Sequence, residues 1–522
     1  FWLKIAQVPA PRPAAVDNGP RAARGMGSGR GRALGALRVA EGCRGRLLAC
    51  LTGVAAAVGL VVVASASSPS LWTPESGLAL ASHDGPYVAV PPTRAQPPRP
   101  EVASGTFSFV ADAGSTGTKA YLFHLQDGAP GLNVTALGKG PALGSFRHRP
   151  ERAADAVREQ LRKARGIIPE AFHPSVSVAV LATAGMRSLD RREAEAVYQG
   201  LRSALASGGF AFNRSALQIR TITGREEGFF AVIAANYLAK RIAMSLEVGD
   251  EGLMGVLDLG GASTQIAVPP PLKVGDSLAS TLTGDRQMYI HSFASLGAES
   301  VRQRTFRSLV VPEREAVAPG RPNPCAFPGQ TDADQGWYGT GDAATCQASI
   351  APILAAEKAS CASSPPLANG SADCLPAELP SALASALSGD SPRLFLISGF
   401  HYAVDFARWW LTRAGKGAQV ASFERPTIAE LRAAAAALCA ETWADLSDVA
   451  RSATAGHRYT PAAKVPHRCF ELNYIVALLS IGYGLPDGVR AFRILDEIAG
   501  SKVEWTLGAF LYSRASFSSR LG

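Results

Sequence analysis

The sequence predicts an α/β protein whose two similar lobes face each other across an anion-binding cleft. Three stretches carry that prediction. The first is FVADAGSTGTK at 109–119, where an apolar run delivers Asp112 into a tight turn of glycine, serine and threonine. Backbone N–H groups and small hydroxyls in such a turn converge on an anion, with the aspartate at the strand end. The second is its echo 146 residues on, GVLDLGGASTQ at 255–265, with Asp258 in the same place. One Gly-Ser turn reads as a plain hairpin, whereas two in the same order argue for duplicated lobes. The third is the β-branched run Val176 to Leu181, which ends in ATAGMR at 182–187. Small and hydroxyl residues then stand where α/β sheets place ligands, although Thr183 also reads as an ordinary helix cap.

With 522 residues and 47% apolar content, the chain exceeds one ordinary domain and can fill two cores. Its net charge of +9 is concentrated in residues 1–46, where nine Lys or Arg stand against Asp17 and Glu41. The body carries no interleaved basic and aromatic stripe, which argues against nucleic acid as a partner. The chain opens on Phe1, and Met26 offers an alternative start that would leave 1–25 untranslated. From Leu47 to Ala66 runs an uncharged segment of membrane-spanning length, preceded by Arg38, Arg44 and Arg46. This predicts a transmembrane signal anchor behind a basic cytosolic arm. A cleaved signal peptide is the rival, because Ala64-Ser65-Ala66 resembles a cleavage site. Either reading places the body in the secretory lumen or outside the cell. Residues 67–104 carry eight prolines and read as an extended stalk.

Cysteine usage fits that compartment. Cys43 and Cys50 lie in or beside the anchor, which leaves Cys325, Cys346, Cys361, Cys374, Cys439 and Cys469 in the body. An even set in an oxidising compartment suits disulfides, and no Cys-x-x-Cys argues for zinc. Order and spacing suggest 325–346, 361–374 and 439–469, out of fifteen connectivities. Sequons at Asn133, Asn213 and Asn369 suit a glycosylated surface.

The globular part begins near Gly105 with the strand that delivers Asp112, and Tyr121 to Phe123 forms the second arm of a hairpin. Pro150 to Gly166 has the periodicity of an amphipathic helix, with Val157, Leu161 and Ala164 on one face. Ile219 to Ile222 is a short strand. It meets GREEG at 224–228 and then an apolar helix expected over Phe229 to Ile242. Adjacent acids at a helix start are usually cap residues. Here they follow a strand and open a buried helix, which favours one of them as a general base in a cleft. Residues 270–345 read as irregular, Arg393 to Ser398 as a strand and Leu431 to Ala444 as an alanine-rich helix.

Five motifs now stand in order: DAGSTGTK at 112–119, ATAGMR at 182–187, GREEGFFAVIAANYL at 224–238, LDLGGASTQI at 257–266 and EWTLGA at 504–509. Together they resemble the apyrase family of nucleoside tri- and diphosphate hydrolases, Golgi-type nucleoside diphosphatases included, over residues 105–515. The resemblance implies two RNase H-like lobes of the actin, Hsp70 and sugar-kinase type, with the active site between them. Lobe I would comprise 105–223 and 496–522, and lobe II 224–495. It implies Glu227 as the base that activates water, with Asp112 and Asp258 holding Mg²⁺ or Ca²⁺ through bound waters. Ser115, Thr116, Gly117 and Thr118 match one phosphate loop, and Gly260, Gly261, Ala262 and Ser263 the other. Thr183 and Gln265 resemble residues that position the metal shell and the attacking water, and Tyr402 the aromatic that stacks on the nucleobase. Lys119 departs from the arginine usual in the family, which keeps the charge but loses the bidentate fork. Other phosphate-handling members of the superfamily, such as exopolyphosphatases or kinases, and a non-catalytic adhesin on the same scaffold are the alternatives. The oligomeric state is not legible.

Overall fold

The computed structural model describes residues 105–126, 131–207, 216–282, 287–309, 320–363, 375, 383–384, 386, 393–420, 422–451 and 456–521. The basic arm, the anchor and the stalk lie outside the described residues. So do the Cys361–Cys374 link and the sequons at Asn213 and Asn369. Among the described residues no helix is long and apolar enough to cross a membrane.

Two five-stranded sheets carry the same topology. In the first, β1 (Thr106–Gly114), β2 (Gly117–Leu125), β3 (Leu132–Gly140), β4 (Ser177–Ala182) and β5 (Leu217–Thr221) stand in the order β3-β2-β1-β4-β5. The second contains β6 (Gly255–Leu259), β7 (Thr264–Val268) and β8 (Tyr289–Phe293). Between its third strand and its last two comes a small sheet of β9 (Arg321–Asn323), β10 (Thr331–Asp332) and β11 (Trp337–Gly339). The second sheet is completed by β12 (Leu394–Ser398) and β13 (Phe492–Ile494), in the order β13-β12-β6-β7-β8. Each aspartate strand is antiparallel to the strand that follows it and parallel to the strand on its other side. In register, Asp112 stands opposite Lys119, and Asp258 opposite Gln265.

Strand alternation divides the core. Phe109 and Ala111 point from β1 to an outer core with Leu161 and Leu201, while Val110 points inward. Leu161 belongs to α1 (Arg158–Ile167) and Leu201 to α3 (Arg191–Ser207), with the single turn α2 (Ala184–Arg187) between them. The inner core joins Val110 and Phe123 of the first sheet to Val256 and Ile290 of the second through α4 (Gly224–Leu238). Helix α4 buries Glu227 through Asn236 without a break, as an all-apolar helix must. Gly228 lets it sit down on the second sheet, since a Cβ there would lie 3.0 Å from Ile290 Cγ2.

The second-sheet half adds α5 (Ala298–Leu309), α6 (Ala343–Ser363), α7 (Gly399–Arg413), α8 (Ile428–Cys439), α9 (Trp443–Arg451) and α10 (Arg468–Ala477). Disulfides join Cys325 to Cys346 and Cys439 to Cys469. Past the hairpin of β14 (Glu497–Ile498) and β15 (Ser501–Lys502), α11 (Trp505–Leu521) returns to pack on α4. Phe510 of α11 stacks on Phe123 at 4.8 Å.

Local expectations are corrected at several points. Residues 150–166 break at Val157 into a 3₁₀ turn, Pro150–Ala156, and α1. The turn is pressed on α3, where a Cβ on Gly200 would lie 1.9 Å from Pro150 O. Helix α4 starts at Gly224 rather than Phe229, because Thr223 caps it, and ends at Leu238. The stretch 270–345 contains β8 and α5, whose Val301, Thr305 and Phe306 form a buried stripe. Helix α8 starts at Ile428 because Thr427 and Glu430 form a capping box.

Helix α11 approaches α4 at Gly508, where a Cβ would lie 1.9 Å from Phe230 O. Gly508→Ala should therefore force the helices apart and cost about 1–3 kcal/mol, seen as a lowered melting temperature. Gly166→Ala, at a position of α1 with open space around it, should leave the melting temperature unchanged or raise it.

Candidate active site

The two aspartate strands end on opposite walls of a cavity of about 270 Å³. Asp112, Ser115, Thr116, Gly117, Thr183, Glu227, Asp258, Gly260, Gly261, Ala262, Ser263 and Tyr402 all line it. The two glycine-rich turns nearly touch, since a Cβ on Gly261 would lie 3.2 Å from Ser115 Oγ. Thr183 N donates to Ala113 O at 3.2 Å, which ties the third loop to β1. Its side chain makes no cap bond to α2 and faces the cavity.

Two of the expected residues stand elsewhere. Thr118 is fully buried and donates from Oγ1 to Pro141 O at 2.7 Å, so its hydroxyl is turned away from the cleft. Strand alternation accounts for this, because Gly117 and Lys119 face the cavity and Thr118 between them cannot. Gln265 lies behind the wall, where its Nε2 stands 3.2 Å from Glu227 Oε2, 2.9 Å from Ser263 Oγ and 3.0 Å from Ser292 Oγ. It touches the carboxylate and not the cavity.

The adjacent acids have separate tasks. Glu226 Oε2 accepts from Thr223 N at 2.8 Å while Glu226 N donates to Thr223 Oγ1 at 3.1 Å, a reciprocal capping box. Arg220 lies 2.7 Å from its Oε1. Glu227, one residue further around the helix, projects into the cleft and is 8% exposed. Its Oε2 accepts from Arg187 Nη2 at 2.9 Å. Burial pushes its carboxyl up to about 7, against the pull of the Arg187 guanidinium. Arg187 also donates to Ile222 O at 3.0 Å, fixing it to the end of β5. Sequence alone gives Arg187 no task, although its position at the close of ATAGMR is the signal that marks it.

The aspartates differ in support. Burial raises Asp258 to about 6, against a bond from Ser398. Ser398 stands at the β12–α7 junction with φ +57°, a costly conformation for a non-glycine residue that brings its hydroxyl to the carboxylate. Burial raises Asp112 to about 8, with Lys119 lowering it and the carboxylates of Glu504, Glu227 and Asp258 adding to the rise. Lys119 Nζ in turn stands 3.2 Å from Glu504 Oε1, and Lys502 lies 3.4 Å from the same oxygen. These lysines hold Glu504 below its ordinary value although burial opposes them.

The donor set fits a divalent cation. Asp112 Oδ1 is enclosed and has no hydrogen-bond partner, and the carboxylates of Glu227 and Asp258 line the same cavity. Among the described residues no group of three or more His, Cys, Asp or Glu could hold a metal ion directly. Further positive charge comes from Lys139, which the sequence reading missed and whose Nζ donates to Thr116 Oγ1 at 3.4 Å.

At the other end of the cavity, Tyr402 stacks on Tyr459 at 5.6 Å and 21°. Lys502 Nζ lies 5.3 Å from its ring centroid, and Tyr402 hydrogen-bonds Asp496. Tyr459 also lines the cavity and lay in no motif of the sequence reading.

Comparison with known proteins places the chain among nucleotide hydrolases by sequence and fold. The chain is 27% identical over 445 residues to ectonucleoside triphosphate diphosphohydrolase 8 of Bos taurus, covering 78% of this chain and 82% of that one. It is 24% identical over 467 residues to ectonucleoside triphosphate diphosphohydrolase 7 of Pongo abelii, covering 78% and 72%. It is also 27% identical over 245 residues to a nucleoside-triphosphatase of Pisum sativum, but this spans only 43% of the chain and 50% of that protein. A solved nucleoside triphosphate hydrolase structure from Neospora caninum shares the fold, with a TM-score of 0.51 at 18% identity over 80% of this chain and 93% of its own. The model of the GDA1/CD39 (nucleoside phosphatase) family matches residues 100–520, and the chain belongs to that family.

Proposed function

We propose that this protein hydrolyses the terminal phosphate of nucleoside di- or triphosphates with the help of Mg²⁺ or Ca²⁺, in the secretory lumen or outside the cell. Family membership supports the nucleoside phosphohydrolase class. The observation that carries the mechanism is a buried carboxylate, Glu227, with a raised proton affinity, facing two glycine-rich loops across one cavity.

Phosphoanhydride hydrolysis asks for positioning and charge neutralisation more than for covalent chemistry. The amides of 114–117 and 261–263 grip successive phosphates, with Lys139 and Lys119 adding positive charge. Asp112 and Asp258 would hold the divalent cation, which would supply neutralisation of phosphate charge and ordering of water. Glu227 takes a proton from a water molecule as that oxygen attacks the terminal phosphorus. The anhydride P–O bond breaks, and its oxygen leaves with the shortened nucleotide. Arg187 and Gln265 hold Oε2 of Glu227, so that Oε1 is the atom that meets the water. Tyr402 supplies a stacking surface for the nucleobase that is tolerant of base identity. The segment 47–66 would anchor the chain as a type II membrane protein with a lumenal or extracellular body. A sequon at Asn133, exposed on the edge strand β3, suits that location.

The direct test is phosphate release from ATP, ADP, UDP, GDP and AMP with and without EDTA. Turnover of di- or triphosphates that vanishes with chelator supports the proposal, and metal-independent release from AMP would overturn it. A second expectation concerns pH. Arg187 lowers the proton affinity of Glu227, so Arg187→Met should move the acid limb of the kcat/KM profile to higher pH. A third concerns stability. Asp112, Glu227 and Asp258 have raised affinities in the folded state, so the stability they contribute is present at low pH and is lost as pH rises from about 4 to about 8. Divalent cation should therefore raise the melting temperature by several degrees at pH 8 and by less at pH 5.

A further inference from the structure

We propose that Asp405, His457, Thr460 and Arg468 form a directional hydrogen-bond chain that positions Tyr459 against Tyr402 and so sets the affinity for the nucleoside part of the substrate. The proposal rests on the nucleotide reading of the cleft. It assigns positioning residues that lie outside the five sequence motifs and act through the aromatic pair.

The two rings come from separate parts of the chain. Tyr402 stands in the first turn of α7, directly after the strained Ser398. Tyr459 stands in a short turn closed by a bridge between His457 and Thr460. Ring contacts of Tyr459 with Tyr402 and His401, and of His457 with Phe406 and Trp409, join the turn to α7, and a buried polar pair fixes their geometry. His457 Nε2 lies 3.0 Å from Asp405 Oδ2, and the His457 side chain is only 4% exposed. Asp405 follows Tyr402 by three residues, on the same side of the helix.

Valence fixes the direction of the chain. Arg468 donates to Thr460 Oγ1 from Nε at 3.1 Å and from Nη2 at 2.8 Å. A hydroxyl oxygen has two lone pairs, and both are then used. The Thr460 proton must go elsewhere, and His457 Nδ1 lies 2.9 Å from Oγ1. His457 therefore accepts at Nδ1 and carries its proton at Nε2, where it donates to Asp405. Each link permits one orientation, so the imidazole is fixed in both tautomer and angle. Arg468 also donates from Nη2 to Tyr459 O at 3.1 Å, which anchors the backbone of the aromatic residue itself. His401 completes the arrangement edge-on to Tyr459, 5.0 Å away at 82°.

Tyr402 does not depend on this chain, because Asp496 and Lys502 hold it from the other side. The chain thus governs where the second ring stands, and with it the width and tilt of the surface offered to a base. The phosphate loops belong to different elements and are not touched by it.

The test uses the purified full chain with a nucleoside diphosphate as substrate and inorganic pyrophosphate as a base-free competitor. Asp405→Asn and His457→Phe should raise KM for the nucleotide on the order of tenfold, the loss expected for one base–aromatic contact. The kcat and the inhibition constant of pyrophosphate should stay within about twofold. His457→Gln, whose amide nitrogen can replace Nε2, should restore much of the affinity. Unchanged nucleotide KM in the Asp405 and His457 variants would overturn the proposal. So would a pyrophosphate constant that rises in parallel, since that would mean general damage to the cleft. A wild-type protein that turns over no nucleoside phosphate would instead defeat the functional reading on which the proposal rests.

Discussion

Burial of α4 on every side is the constraint on which the rest of the molecule depends. The helix lies between two sheets and against α11, pressed on one side through Gly228 and on another through Gly508. A polar helix could not occupy that layer, and an apolar one has no other place to go. Its first turn therefore projects from the layer into the cleft. There the capping box locks Glu226 to Thr223 and leaves Glu227 as the carboxylate that faces the cavity. The raised proton affinity of Glu227 is a consequence of the same burial that holds the helix.

Duplication supplies the other half of the site. Because both sheets share one topology, the turn after β1 and the turn after β6 arrive as counterparts on opposite walls, each behind an aspartate. The equivalence extends to the opposing strands, where Lys119 and Gln265 occupy the same register. Their tasks have diverged. Lys119 reaches Glu504 of the C-terminal motif, while Gln265 supports Glu227 from behind. That pairing gives the lysine at this position a physical reading. A single point charge at 3.2 Å from Glu504 needs no bidentate fork.

Sequence alone made the duplicated glycine-rich turns and the adjacent acids at the start of α4 legible, because each rests on a local pattern of strand, acid and small residues. Most central strands were legible from their short, largely apolar runs. What stayed hidden was set by contacts between distant segments. The 3₁₀ break at Val157 follows from the close approach of Gly200, which periodicity cannot register. Strand β8 has apolar and polar residues mixed at a sheet edge, and α5 carries arginines through its exposed face, so both read as irregular. Thr118 matched a motif, yet strand alternation turns it toward Pro141. Tyr459, Arg187 and the Asp405–His457 pair join segments of the chain that only tertiary structure brings together.

The central claim is that the two adjacent acids have different tasks, and parallel turnover measurements on Glu226→Gln and Glu227→Gln test it most directly. Glu226→Gln should keep turnover within a few-fold of wild type and lower thermal stability, because it weakens a cap of about 1 kcal/mol. Glu227→Gln should fold normally and lose roughly 100-fold or more in kcat, the scale of general-base catalysis. Comparable turnover in the two variants, or an active Glu227→Gln protein, would contradict the account.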